Sequence, residues 1–136
     1  MPAKFNLKNP VTGQITSPFG FRYLNHVKQF HNGTDIGVPE GTQVVSPASG
    51  EVIATGYDKL NGNYIRIQHE TIITAYCHLY SKKVGKGMKV EQGDIIGYSG
   101  NTGASTGAHL HFGVQEFKES TQTWEWIDPE KYFDFK

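Results

Sequence analysis

Gly41-Thr42-Gln43-Val44, leading to Gly50-Glu51-Val52-Ile53, has a counterpart further along the chain in Gly87-Met88-Lys89-Val90, leading to Gly93-Asp94-Ile95-Ile96. In each half a glycine turn opens a short run and a second glycine opens another, so the two halves read as a weak internal repeat of a turn-then-strand unit. The same pattern continues around the repeat. Thr42 to Val45, Glu51 to Ala54, Tyr64 to Gln68, Thr71 to Leu79, Asp94 to Tyr98 and His109 to Val114 are short alternating or apolar runs separated by glycine-containing turns. An all-β fold is therefore expected. No stretch of ten or more residues holds a 3.6-residue apolar period. The best helical candidate is one turn, Pro129-Glu130-Lys131-Tyr132-Phe133, after an N-cap at Asp128.

The 136 residues suit a single domain with a modest core. Lys plus Arg and Asp plus Glu number 13 each, so no strong charge bias points to nucleic acid or a membrane surface as partner. Glycine supplies 16 residues, spread along the chain without a period, as many tight turns require. The one cysteine, Cys77, excludes an internal disulfide. Met1 to Leu7 lacks the apolar core of a secretory signal, and no apolar run approaches membrane-spanning length. Export is thus expected by another route, or from a longer chain.

Six histidines stand at positions 26, 31, 69, 78, 109 and 111. In His109-Leu110-His111-Phe112 a strand's period of two sends both imidazoles to one face, with their Cα atoms about 7 Å apart. A lone pair of this kind is as often a solvated strand face as a metal site. His31-Asn32-Gly33-Thr34-Asp35 joins an imidazole and a carboxylate, both zinc ligands, across a glycine that favours a tight loop. A surface turn with a capping Asp is the bland reading of that cluster. Together the two clusters supply what a catalytic zinc requires, namely three protein ligands and an open position.

His78 lies in Thr74-Ala75-Tyr76-Cys77-His78-Leu79. Alternation there predicts Thr74, Tyr76 and His78 on one face, and Ile73, Ala75, Cys77 and Leu79 buried on the other. A histidine overlooking a metal can move protons. Cys77 reads as a small core residue. The run Gly100 to Gly107 lacks the ending of a phosphate cradle and reads as a groove wall. His26 and His69 read as loop or strand-edge residues, with His26 a fallback ligand. The aromatic tail of Trp124, Trp126, Tyr132, Phe133 and Phe135 reads as packing.

Ser17-Pro18-Phe19-Gly20-Phe21-Arg22, His31-x-Gly33-x-Asp35, Gly41 to Gly50, Tyr76-Cys77-His78-Leu79 and Gly100 to Phe112 stand in the order found in lysostaphin-type zinc metallopeptidases, which the chain resembles over about positions 17 to 113. The resemblance implies antiparallel sheets of a duplicated-hairpin, barrel-sandwich-like type with a substrate groove and little helix. It makes residues 1–136 one peptidase domain, with an aromatic tail at 114–136. It further implies that His31, Asp35 and His111 ligate one Zn2+ per chain, and that His78 and His109 are the unliganded catalytic histidines flanking the reacting water. The implied activity is a peptidoglycan hydrolase, an endopeptidase that cuts stem peptides or cross-bridges at the bacterial cell wall; a monomer is expected. Ala108 stands where the family usually has proline, and Gly113 where an acidic residue often follows. The rival readings are a phosphocarrier of related architecture and a non-catalytic zinc-stabilised wall-binding domain in which both His109 and His111 ligate.

Overall fold

A computed structural model describes residues 7–24, 26–105 and 107–135. Met1 to Asn6, most of the stretch read for an export signal, and Thr106 of the glycine-rich run lie outside the described residues. Among the described residues twelve strands follow one another: β1 (Gln14–Ser17), β2 (Gly20–Leu24), β3 (Val27–His31), β4 (Thr34–Gly37), β5 (Gln43–Val45), β6 (Gly50–Asp58), β7 (Gly62–Gln68), β8 (Ile72–Lys82), β9 (Lys89–Val90), β10 (Ile95–Ser99), β11 (Leu110–Lys118) and β12 (Thr123–Ile127). The fold is all-β and antiparallel, as the alternation and the glycine turns predict. The expected single helical turn is present as a 3-10 turn at Pro129–Lys131, where the Asp128 carboxylate accepts from the Glu130 amide at 2.9 Å. No helix among the described residues is long and apolar enough to cross a membrane.

The repeat acquires a physical meaning in the strand pairing. β5 of the first half pairs with β10 of the second, and β9 of the second pairs with β6 of the first. Each half thus lends its first strand to the other's second. The glycines that open these turns take left-handed backbone, with φ of 89° at Gly41, 91° at Gly87 and 89° at Gly93, which a side chain would resist.

Ten strands join one sheet in the order β1-β4-β11-β8-β7-β6-β9, with β10 bonded to β8 and β5, and β12 beside β11. β2 and β3 form a separate hairpin. The inward faces bury Val44, Val52, Ile65, Ile67, Leu79, Ile96 and Val114. Phe112 lies at the centre, with ring centroids of Tyr76 and Phe133 at 5.4 and 5.0 Å. Truncating such a ring typically costs about 3–5 kcal/mol. Residues 114–127 continue the sheet, and Phe133 and Phe135 pack into the core.

β11 positions the site because it is bonded on both sides. Its first residues pair with β4 on one side, and its middle pairs with β8 on the other. Two expectations are corrected here. Asp35 lies on a strand and not in a loop, because Thr34 and Ile36 point into the core and so hold β4 in alternation with Asp35 outward. Strict alternation also fails in β8. Tyr64 alone opposes both Cys77 and His78, a bulge closed by left-handed His78 (φ 64°), whose amide donates to the Asn61 carbonyl at 2.7 Å. The extra residue leaves Tyr76 and Leu79 in the core and puts Cys77 and His78 together on the groove side.

Candidate metal centre

Cys77, His111 and Asp35 form one transverse row across β8, β11 and β4. His31, the last residue of β3, arrives beside it from the separate hairpin. Asp35 Oδ1 lies 3.0 Å from His111 Nδ1 and 3.2 Å from His31 Nε2, and the two ring nitrogens are 3.2 Å apart. Gly33 makes this approach possible, since a Cβ there would stand 2.7 Å from the Phe112 carbonyl and 2.8 Å from His111 Nε2.

Hydrogen bonds fix which nitrogen faces inward. His31 Nδ1 donates to the Pro18 carbonyl at 2.9 Å, so Nε2 is the nitrogen directed at Asp35 and His111. The Asp35 carboxyl, which burial alone would raise, is instead held well below the usual carboxylate range by hydrogen bonds from His111 and His31 and by the charges of His31 and His109. Three basic atoms so close together require positive charge among them. A tetrahedral zinc with bonds near 2.0–2.1 Å has ligand-to-ligand edges of about 3.3 Å. The observed triangle fits that size, and one carboxylate with two imidazoles is a donor set that zinc accepts.

Two further imidazoles flank the triangle. His78 Nδ1 donates to the Thr102 carbonyl at 2.7 Å, and His109 Nδ1 donates to the Gly107 carbonyl at 2.7 Å. Both therefore turn Nε2 towards the triangle. Their ring centroids are 5.1 Å apart, and His109 Nε2 stands 3.5 Å from Asp35 Oδ1. Burial, followed by the neighbouring His109 and His111, lowers the His78 pKa against the opposing pull of the Thr102 bond and Asp35. The shift favours the neutral ring, the form that accepts a proton.

The five histidine and aspartate positions singled out in the sequence are thus gathered in one groove of about 310 Å³, walled by Ala104 and Ser105 of the glycine-rich run and by Asn32 and Asn61. His26 is exposed in the β2–β3 turn and His69 is buried elsewhere. Arg22 carried no role in the reading of residue types. Its Nη1 donates to Ser17 Oγ at 2.6 Å and lies 3.6 Å from Asp35 Oδ2, the carboxylate oxygen turned away from the triangle. The motif Ser17 to Arg22 was the only signal of it. A larger cavity of about 790 Å³, between residues 7–12 and 132–134, is lined among the described residues by no histidine and one carboxylate, Asp134.

An open groove over this donor set suits a hydrolytic metal centre. The model of peptidase family M23 matches residues 29–124, and the chain belongs to that family, the lysostaphin-type peptidases. It is 46% identical over 103 residues to the peptidoglycan DD-endopeptidase ShyA of Vibrio cholerae, covering 73% of this chain and 24% of that protein. The chain thus spans about a quarter of that relative's length. Among solved structures it resembles the catalytic domain of lysostaphin from Staphylococcus simulans, with TM-score 0.76 and 29% identity over 88% of this chain and 91% of that one. It also resembles a zinc-containing peptidase from Vibrio cholerae, with TM-score 0.73 and 34% identity over 92% of this chain and 38% of that one.

Proposed function

We propose that this chain is a zinc-dependent endopeptidase that hydrolyses peptide bonds of bacterial peptidoglycan at the cell wall, with one zinc held by His31 Nε2, Asp35 Oδ1 and His111 Nδ1. The observation that carries this reading is the convergence of those three atoms at 3.0–3.2 Å, with the His78 and His109 rings beside them, each held through Nδ1. Membership of family M23 and likeness to a peptidoglycan DD-endopeptidase support the substrate class.

A zinc ion held there supplies Lewis acidity, which polarises the scissile carbonyl and makes a water nucleophile available near neutral pH. Hydrolysis then breaks the amide C–N bond, adds the hydroxyl of water to the carbonyl carbon and delivers a proton to the leaving nitrogen. His78 and His109 are the groups that manage that proton. Each is anchored through Nδ1 by a backbone carbonyl, so its ring is fixed and its Nε2 faces the groove. Thr102 and Gly107, which supply those carbonyls, belong to the glycine-rich wall, so the wall orients the two bases.

Metal analysis together with digestion of purified peptidoglycan tests the reading. The expected result is about one zinc per chain, release of new amino groups without new reducing sugar ends, loss of activity to a chelator and recovery with zinc. Full activity in metal-free protein would refute it, and transfer of phosphate to His78 or His109 would favour a phosphocarrier. Bound zinc without turnover would favour a wall-binding module.

A further inference from the structure

Next to the Cys77–His111–Asp35 row, and two residues along each strand, β7, β8 and β11 carry a second row on the same face, Arg66–Ala75–Gly113. Ala75 and Gly113 are small and leave a depression. Trp126 from β12 fills one side of it: a Cβ on Gly113 would lie 2.6 Å from Trp126 Cζ3, so only glycine at this position admits the indole. The Arg66 guanidinium stands 5.4 Å from the centroid of the same indole. Among the described residues no carboxylate comes within 4.0 Å of it, although Asp58 and Cys77 feel its charge.

A cavity of about 170 Å³ opens over this row and reaches His111. Asn32, Leu60 and Asn61 border both it and the histidine groove, so the two are neighbours. Cys77 also lines it, but burial pushes that thiol up to about 12, so the cavity carries no thiolate chemistry. What it offers is a cation seated on an aromatic face with its planar donor fork unspent, the arrangement that receives a carboxylate.

We propose that Arg66, seated on Trp126, is a specificity-determining residue that binds a carboxylate of the peptide substrate, with the indole carrying the aliphatic segment beside it. This rests on the reading of the histidine groove as a peptide-binding site. Arg66 stands about 7 Å along the strands and two strands, about 10 Å, across from His111, so the recognised group sits on a residue near the scissile bond and not at it, and Arg66 takes no part in the chemistry.

The probes are wall-derived stem peptides with free carboxylates and the same peptides after amidation. A charge-assisted bond lost on amidation should raise KM about tenfold with kcat unchanged. Arg66→Gln should raise KM for the free-carboxylate peptide to that of the amidated one and leave the latter alone, while Arg66→Lys keeps part of the preference. Trp126→Leu should raise KM for both peptides. Indifference of the unsubstituted chain to amidation, or equal loss of both peptides in Arg66→Gln, would overturn the proposal. Equilibrium binding of the two peptides to the His109→Ala chain provides a second reading that does not depend on turnover. If neither peptide is cleaved, the peptidase reading fails. A binding preference abolished by Arg66→Gln would still uphold the carboxylate site, and no preference would sink it.

Discussion

Asp35 on β4 and His111 on β11 are direct cross-strand partners, and their inward atoms, Oδ1 and Nδ1, lie 3.0 Å apart. Backbone pairing thus sets the spacing of two of the three candidate ligands before any metal binds. His31 is the third, and it comes from a hairpin outside the main sheet. The dependence of the site on that approach gives the first expectation.

Gly33→Ala should separate His31 from Asp35 and His111, because the new Cβ would stand 2.7–2.9 Å from the Phe112 carbonyl and the His111 ring. The overpacking should cost about 1–3 kcal/mol of stability. Thermal unfolding and zinc titration check this together: a stable variant with unchanged zinc affinity would show that the glycine does not govern the approach.

Arg22→Met should weaken zinc binding about 10–100-fold, the usual effect of losing a group that orients a ligand. It removes the cation at 3.6 Å from Asp35 Oδ2, freeing the carboxylate to rotate. Arg22→Lys should recover part of the loss, and Ser17→Ala, which frees only the Arg22 end, should cost less. Competition with a chromophoric chelator measures all three. Equal affinity in Arg22→Met and the unsubstituted chain would contradict this role.

His69 predicts a pH dependence of stability away from the site. A buried relay runs from Tyr76 O–H to Thr74 Oγ1 (2.6 Å), from Thr74 to His69 Nε2 (2.9 Å) and from His69 Nδ1 to the Ser49 carbonyl (2.9 Å). Burial lowers the His69 pKa, against the opposing effect of the Ser49 bond. The unfolded chain therefore binds this proton at higher pH than the native one. The stabilisation is complete above about 6.5 and is lost as the pH falls from there towards the lowered native value. Denaturant midpoints between pH 7.5 and 5, as about the range to scan, should fall less steeply for His69→Gln than for the unsubstituted chain, and parallel slopes would contradict the assignment.

Much of this was legible in the sequence because strand periodicity and glycine turns are local signals. His109 and His111 share a face as their spacing predicts, and the repeat at Gly41 and Gly87 marks real strands, each paired with the other half. Other features depend on partners that no local pattern reveals. β2 and β3 went unread because Phe21, Tyr23 and Phe30 are exposed on a hairpin that no core enforces, so they show no buried alternation. The bulge at Cys77–His78 exists because β7 supplies one residue where β8 supplies two, and it moves His78 to the side of Cys77 and Leu79 to the side of Tyr76. Trp126 read as packing, yet its seat depends on Gly113 in the neighbouring strand and its stacking on Arg66 two strands further across the sheet.

Zinc content of two single variants tests the central claim most directly, since His109 and His111 share a face and only the geometry around Asp35 separates them. His109→Ala should retain about one zinc and lose turnover by about 10²–10⁴-fold, as should His78→Ala, because each removes a proton-handling group and leaves the three donors in place. His111→Ala should come out of purification with its zinc lost or severely depleted, while circular dichroism shows the sheet intact. Zinc retained in His111→Ala and absent from His109→Ala would contradict the account, and loss from both would replace the open catalytic centre with a closed, four-ligand structural one.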